Sequence, residues 1–387
     1  MKSFNYSIPT QVFFGQGQIK VLSTQLKKYG ARVLIVYGGG SIKKTGLYNK
    51  VVDILNSNGF TYWEQAGVEP NPRIESVREG VKLCKEHHIE VILAVGGGSV
   101  IDCAKIIAAG YYSDADAWDL MIREATIQQS LPIATILTLS ATGSEMDPMA
   151  VISNLATNQK LGMGHPSLFP KFSILDPTYT YTVPAHQTAA GTADIMSHIF
   201  EVYFSPTKEA YLQNRMAEAL LKTCIQYGPI AIREPENYEA RANLMWASSL
   251  AINGLLTYGK ETNWSAHPME HELSAYFNIT HGVGLAILTP TWMEYVLNDL
   301  TVGKFYDYGV NVWGLDSNSD QYVVARESIR KTQEFFNSLD IPSRLRDVGI
   351  TEDKLEVMAK AAVRGATIGN FMPLNASDVL EIYKAAY

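Results

Sequence analysis

Two stretches of this chain repeat one device. RVLIVY (32–37) runs into Gly38-Gly39-Gly40-Ser41, and VILAV (91–95) runs into Gly96-Gly97-Gly98-Ser99. Each reads as a short β-branched strand that ends in glycines. Helical patterns lie between such strands: LYNKVVDILNSNG follows the first turn, and ESVREGVKLCKEHH separates the strand-like FTYWEQ from VILAV. PIATILTL (132–139) is a further strand, ending in the small residues of SATGSE. Alternation of this kind implies a parallel, doubly wound sheet. Glycines at a strand's carboxyl end let the backbone turn tightly and approach a ligand closely. The helix that follows offers free N–H groups and a positive dipole end, which suit phosphate.

Neither turn is a G-x-G-x-x-G fingerprint, because Lys43 and Ile101 stand where the third glycine belongs. Neither fits a P-loop. With TGSE (142–145) after the third strand, the three turns together suggest a diphosphate cradle built from several strand ends. Ser99 and Asp102 also fit a helix capping box, which is compatible with phosphate next door. The first turn bears on the nucleotide. NAD enzymes place an acid where it accepts from the adenosine ribose, and that acid repels a 2′-phosphate. Here the turn offers N–H groups, a hydroxyl, Lys43 and Lys44, and no acid, which favours NADP. The plainer alternative leaves both lysines as solvated surface charges.

From about residue 184 the texture changes to long helical patterns such as HQTAAGTADIMSHIFEVYF and YLQNRMAEALLKTCIQYG, with few strand signals. We expect an α/β Rossmann-like domain over 1–183 and an all-helical domain over 184–387. A chain of 387 residues, 47% hydrophobic, is long enough for two such cores. The net charge of −7 and the lack of any basic stripe exclude a nucleic-acid role. No apolar run reaches the roughly 18–20 residues of a membrane span, and MKSFNYSIPTQVFFGQG has no secretory h-region. Three cysteines without metal-like spacing suggest buried thiols in a reducing cytoplasm.

The helical half concentrates metal-binding side chains. GTADIMSH puts Asp194 and His198 four apart on one helical face, and HPMEHELSAYFNITHG holds His267, His271 and His281. The second segment is not the zinc-protease motif H-E-x-x-H, since Pro268 follows the first histidine and Glu270 points elsewhere. An i, i+4 Asp–His pair alone is an ordinary helix ion pair. One Asp and three His together make a set that suits Fe²⁺ or Zn²⁺ rather than Mg²⁺ or Ca²⁺. Spacing does not say which histidines bind. His281-Gly282 opens an apolar helical stretch, and a helix N-terminus disfavours imidazolium, leaving a lone pair free.

The chain resembles the iron-containing (group III) alcohol dehydrogenases along its whole length, and within them the NADPH-dependent butanol dehydrogenases and broad-range bacterial aldehyde reductases. VEPNPR (68–73), AVGGGSVIDCAK (94–105), the ATGSE turn, LDPTYTYTVP (175–184), GTADIMSH and HPMEHELSAYFNITHG carry the resemblance. It implies the dehydroquinate synthase-like fold of that family, with a cofactor cleft between a Rossmann-like and a helical domain. It implies one divalent ion, Fe²⁺ or Zn²⁺, on Asp194, His198, His267 and His281, with His271 near the substrate as proton relay. Nucleotide contacts carried over by position are Gly39, Gly40, Ser41, Asn71, Gly97, Gly98, Ser99, Asp102, Thr138, Thr142 and Lys160. A homodimer is also implied. Many relatives have an acid at the first glycine turn and use NAD, and this chain lacks it. Pro268 places a helix start close to His267, since proline is tolerated in a first turn.

The expected activity is therefore metal-dependent, NADP(H)-linked interconversion of primary alcohols such as butanol and their aldehydes, in the aldehyde-reducing direction. The alternative on the same fold is a metal- and NAD-dependent lyase of the dehydroquinate synthase type, which needs a Lys/Arg cluster that the metal motifs lack. A metal hydrolase without nucleotide conflicts with the three glycine-rich strand ends.

Overall fold

A computed structural model describes residues Met1–Tyr387. The chain forms two compact units. One comprises Ser7–Val183 and Pro235–Met245; the other comprises Met1–Tyr6, Pro184–Glu234 and Trp246–Tyr387. They are not two continuous halves: the first six residues count with the helical unit, and the segment through Met245 counts with the α/β unit.

The α/β unit is built on a six-stranded, all-parallel sheet. Its strands are β1 (Gln11–Phe14), β2 (Arg32–Tyr37), β3 (Thr61–Gln65), β4 (Val91–Gly96), β5 (Ile133–Leu137) and, after a separate antiparallel pair β6 (Met149–Asn154) and β7 (Gln159–Gly164), β8 (Phe172–Leu175). The order across the sheet is β1-β8-β5-β4-β2-β3. Strands buried on both faces read as near-continuous apolar runs, because alternate residues enter opposite cores. In β2, Val33 and Ile35 join the core that holds Leu47, Val51 and Leu55 of the helix Leu47–Ser57. Leu34 and Val36 join the opposite core, with Ile74, Val77 and the buried helix Gly98–Gly110.

Register brings the glycine turns level. Tyr37 pairs with Val95, and Gly96 pairs with Leu137, so β2, β4 and β5 end side by side at one edge. The third strand is shorter than PIATILTL suggests. It stops at Leu137, after which the Thr138 amide donates to the Gly96 carbonyl at 3.0 Å.

The helical unit holds one large core, drawn from helices that include Ala185–Tyr203, Tyr211–Arg233, Ala266–Phe277, His281–Val296, Val302–Trp313 and Gln321–Ser338. Residues Thr188–Tyr203 are all buried. This helix meets the start of His281–Val296 at backbone distance. A Cβ added at Gly282 would lie 2.0 Å from the Ala190 carbonyl oxygen, so only glycine fits. The three cysteines are free and buried, and burial pushes the Cys84 and Cys224 thiols up to about 12. No helix is long and apolar enough to cross a membrane.

Candidate metal centre and nucleotide cradle

In the helical unit the four candidate ligands lie on three helices. Asp194 and His198 lie one turn apart on Ala185–Tyr203. His267 is the second residue of Ala266–Phe277, and His281 is the first residue of His281–Val296. Three imidazole nitrogens converge on one carboxylate oxygen. Asp194 Oδ1 lies 3.7 Å from His198 Nδ1, 3.9 Å from His267 Nε2 and 3.8 Å from His281 Nε2. These separations are too long for hydrogen bonds. For Asp194, His267 and His281, whose donor atoms all lie within 4.8 Å of one another, they match donors that share one ion through bonds of about 2.0–2.2 Å each, while His198 approaches Asp194 with its ring stacked on that of His267. Asp194, His198 and His267 are buried. His267 Nε2 and His198 Nδ1 have no hydrogen-bond partner, although buried polar atoms are normally paired. Burial, then the neighbouring His267 and His281 rings, holds His198 well below the usual imidazole pKa and hence neutral, the form that donates a lone pair.

Two acids behind the histidines were not singled out in the sequence. Glu201 continues the Asp194–His198 face at i+7. Its carboxylate accepts from the Ser265 and His267 amides, from Asn263 Nδ2, and from His267 Nδ1 at 3.2 Å. It thereby caps the N-terminus of Ala266–Phe277, whose own Ser265 does not. Glu270 was expected to point elsewhere. Instead its fully buried carboxylate accepts from His281 Nδ1 on one oxygen and from Ser274 Oγ on the other. Pro268 sits inside the first turn and does not interrupt the helix. His271, one turn on from His267, is half-buried, its ring 6.4 Å from that of His267 and 5.6 Å from that of His281. Glu270, His271 and His281 form a second group of converging donors.

In the α/β unit, Gly39, Gly40 and Ser41 form the turn after β2, and Gly97, Gly98 and Ser99 the turn after β4. Gly40 takes φ 99°, a left-handed value that favours glycine. At Gly39 and Gly40 an added Cβ would meet nothing within 4 Å, so this turn faces open space. Thr138 and Thr142 follow β5. A Cβ on Gly98 would strike Thr142, 2.3 Å from its Oγ1, so these two turns are in contact. Asn71 adopts φ 53°, and the following Pro72 carbonyl accepts from the Ser153 amide of β6. Lys160 is buried on β7 opposite Ser153.

Two expectations change here. Ser99 and Asp102 form no capping box: the helix begins after Gly97 without a side-chain cap. Asp102 turns inward, its oxygens accepting from Ser144 Oγ at 2.6 Å and from the Val151 amide at 2.9 Å. Ser144 also accepts from the fully buried Lys105 ammonium, which reaches Asp147 and the Met149 carbonyl. Asp102 therefore braces the TGSE turn from within rather than facing the open edge. Burial, the largest influence, pushes its carboxyl up to about 6. The second change concerns charge at the first turn. Glu64 of β3 accepts from Tyr37 and Tyr48 hydroxyls at 2.5 Å each and lies 3.6 Å from Lys43 Nζ. Lys43 also stands over both tyrosine rings. The turn has no acid in its own sequence, yet the fold supplies one from the neighbouring strand.

Residues 9–177 match the family model described as iron-containing alcohol dehydrogenase, and residues 188–387 match that family's C-terminal model. The chain belongs to the iron-containing alcohol dehydrogenase family. It is 64% identical to NADH-dependent butanol dehydrogenase A of Clostridium acetobutylicum, with both chains fully covered. It is 40% identical to the NADPH-dependent aldehyde reductase of Escherichia coli, over 93% of this chain and 92% of that protein. The crystal structure of NADH-dependent butanol dehydrogenase A from Thermotoga maritima superposes with a TM-score of 0.96 at 37% identity, covering 100% of this chain and 99% of that one. The class of chemistry is that of an alcohol dehydrogenase or aldehyde reductase, an oxidoreductase, in place of the lyase that the same fold also allows.

Proposed function

We propose that this iron-containing alcohol dehydrogenase family member interconverts primary alcohols such as butanol with their aldehydes, chiefly as an aldehyde reductase, using one divalent ion and a nicotinamide nucleotide. The observation that carries this reading is the convergence of three imidazole nitrogens on Asp194 Oδ1 at 3.7–3.9 Å in a buried site. Asp194, His198, His267 and His281 would hold the ion, as Fe²⁺ or Zn²⁺. The names of the relatives support the substrate class.

When bound, the ion supplies Lewis acidity towards a carbonyl oxygen and the dihydronicotinamide supplies hydride. The chain's own residues do the rest. Three imidazoles and one carboxylate would provide the donor set. The helical core around them keeps bulk water from Asp194, His198 and His267, and His281 is partly exposed. His271 carries a proton to the nascent alcohol oxygen from a half-buried position, where solvent can recharge it.

Gly39, Gly40, Ser41, Gly97, Gly98, Ser99, Thr138 and Thr142 would receive the nucleotide diphosphate and ribose. Asn71 and Lys160 would add to them from the adjoining β6–β7 side. For the nucleotide we read NADP(H) as accepted, because the turn is open and Lys43 stands beside it. Glu64 tempers that cation, so NADH is accepted as well. The clostridial relatives are named NADH-dependent and the Escherichia coli relative NADPH-dependent. Metal analysis of gently purified protein, paired with kcat/KM for butanal with each nucleotide, tests the whole reading. Stoichiometric iron or zinc with turnover on both nucleotides supports it. Metal-independent turnover would overturn the metal assignment, and turnover on NADH alone would overturn the nucleotide assignment.

A further inference from the structure

We infer that Glu201 and Glu270, two buried carboxylates outside the ligand set, are positioning residues. They fix which nitrogen of His267 and His281 faces the site and so set how tightly the site holds a divalent ion. The inference rests on the metal reading above and adds to it two residues that touch neither ion nor substrate.

The two rings share one orientation. His267 turns Nδ1 to Glu201 and Nε2 to Asp194, and His281 turns Nδ1 to Glu270 and Nε2 to Asp194. A neutral imidazole carries one N–H and one lone pair. A carboxylate behind the ring accepts from Nδ1–H, which leaves the lone pair on Nε2, pointing into the site. The same contact restrains ring rotation and raises the basicity of the facing nitrogen. Both acids are deeply buried. An anion taken out of water is unfavourable unless positive charge stands near it, and a dication across each imidazole would provide that charge. His198 differs. It presents Nδ1, rather than Nε2, to Asp194. The site thus combines two histidines held by carboxylates at Nδ1 with one that faces the site through Nδ1 itself.

A structural alternative exists for Glu201, because its carboxylate also caps the helix that carries His267. Glu270 lies within that helix, so Glu270→Gln is the cleaner variant. Gln keeps the shape but places no anion on His281 Nδ1. The test is Zn²⁺ affinity of the full chain, stripped by chelator and titrated against a competing fluorescent chelator, alongside the unfolding midpoint of the metal-free protein. We expect Glu270→Gln to bind Zn²⁺ about 10–100-fold more weakly while its metal-free midpoint is not lowered. Glu270→Asp should recover part of the affinity. Glu201→Gln should show a similar loss together with a lower midpoint, since it also loses a cap. Parental Zn²⁺ affinity in Glu270→Gln, or a lowered metal-free midpoint as its only change, would overturn the inference. If the parent itself binds no Zn²⁺, the metal reading falls and this inference with it.

Discussion

Gly282→Ala is the smallest change that tests whether the helical unit is built around its metal ligands. The added Cβ would sit 2.0 Å from the Ala190 oxygen, 2.6 Å from its carbonyl carbon and 3.1 Å from its Cα. These are backbone atoms, so no side chain can swing aside. Reaching ordinary van der Waals contact requires the two helices to part by about 1.4 Å. Ala190 lies one turn before Asp194, and Gly282 is next to His281, so the separation opens at the ligands themselves. Two bonds of about 2.1 Å span at most about 4.2 Å between donors. The His281–Asp194 gap is already 3.8 Å, leaving less slack than the shift demands. Gly282→Ala should therefore lose bound metal. It should also lose about 3 kcal/mol, the upper end for overpacking, which lowers the midpoint by roughly 6–12 °C. Gly303→Ala is the control. It lies in the helix Val302–Trp313, where an added Cβ meets nothing within 4 Å. There alanine should stabilise by about 0.5–1 kcal/mol. Thermal scans and metal analysis of both variants decide the matter. Parental midpoint and metal content in Gly282→Ala would refute the reasoning.

Asp194→Ala or His267→Ala should lose metal and nearly all turnover while remaining folded, as read by metal content and circular dichroism. His271→Ala should keep its metal and lower kcat by up to about 10²–10⁴-fold; an unchanged pH–rate profile with a lowered midpoint would make that histidine structural. Gly39→Asp should shift the NADPH/NADH ratio of kcat/KM towards NADH by repelling a 2′-phosphate, and Glu64→Gln should shift it towards NADPH by releasing the Lys43 charge. Burial, then the like charge of Lys304, brings Lys260 down to about 7 from 10.5, so the unfolded chain binds more protons between those values and stability rises with pH across that window. Lys260→Met should flatten the rise, read from urea midpoints at about pH 7 and pH 9.5.

The parallel sheet was legible because β2 and β4 are long apolar runs that stop abruptly at glycine. β1 stops at Gly15 and β8 at Asp176-Pro177, but each is only four residues, and each is placed by pairing with a strand far away in sequence. The β6–β7 hairpin joins at LATNQ without an Asn-Gly or Asp-Gly turn, so nothing local announced it. Asp194 and His198 were visible as an i, i+4 pair, and Glu201 falls on the same face at i+7. Recognising Glu201 required knowing that residues 263–267, more than sixty positions on, return to that face. Glu64 was hidden for the same reason, since only the β2–β3 register sets it across from Ile35, near Tyr37 and Lys43. Asp102 shows the reverse error. A local capping pattern was present, and the buried Lys105–Ser144 network took the carboxylate instead.

The positions of His267 and His281 within their helices carry a chemical consequence. Both sit in a first turn, where unsatisfied N–H groups leave partial positive charge. That charge favours an anionic oxygen nearby, as the Glu201 carboxylate at the start of Ala266–Phe277 shows. The local chemistry is consistent on both helices. Glu201 takes the Ser265 and His267 amides, Pro268 contributes no N–H to satisfy, and Met269 already donates to the Ser265 carbonyl. On the other helix, Gly282 admits the Ala190 carbonyl at a distance that brings His281 onto Asp194. The same arrangement puts the buried Asp194 carboxylate at the meeting point of three imidazole nitrogens. A divalent ion bound there would add positive charge to a pocket in which Asp194, Glu201 and Glu270 are all buried acids.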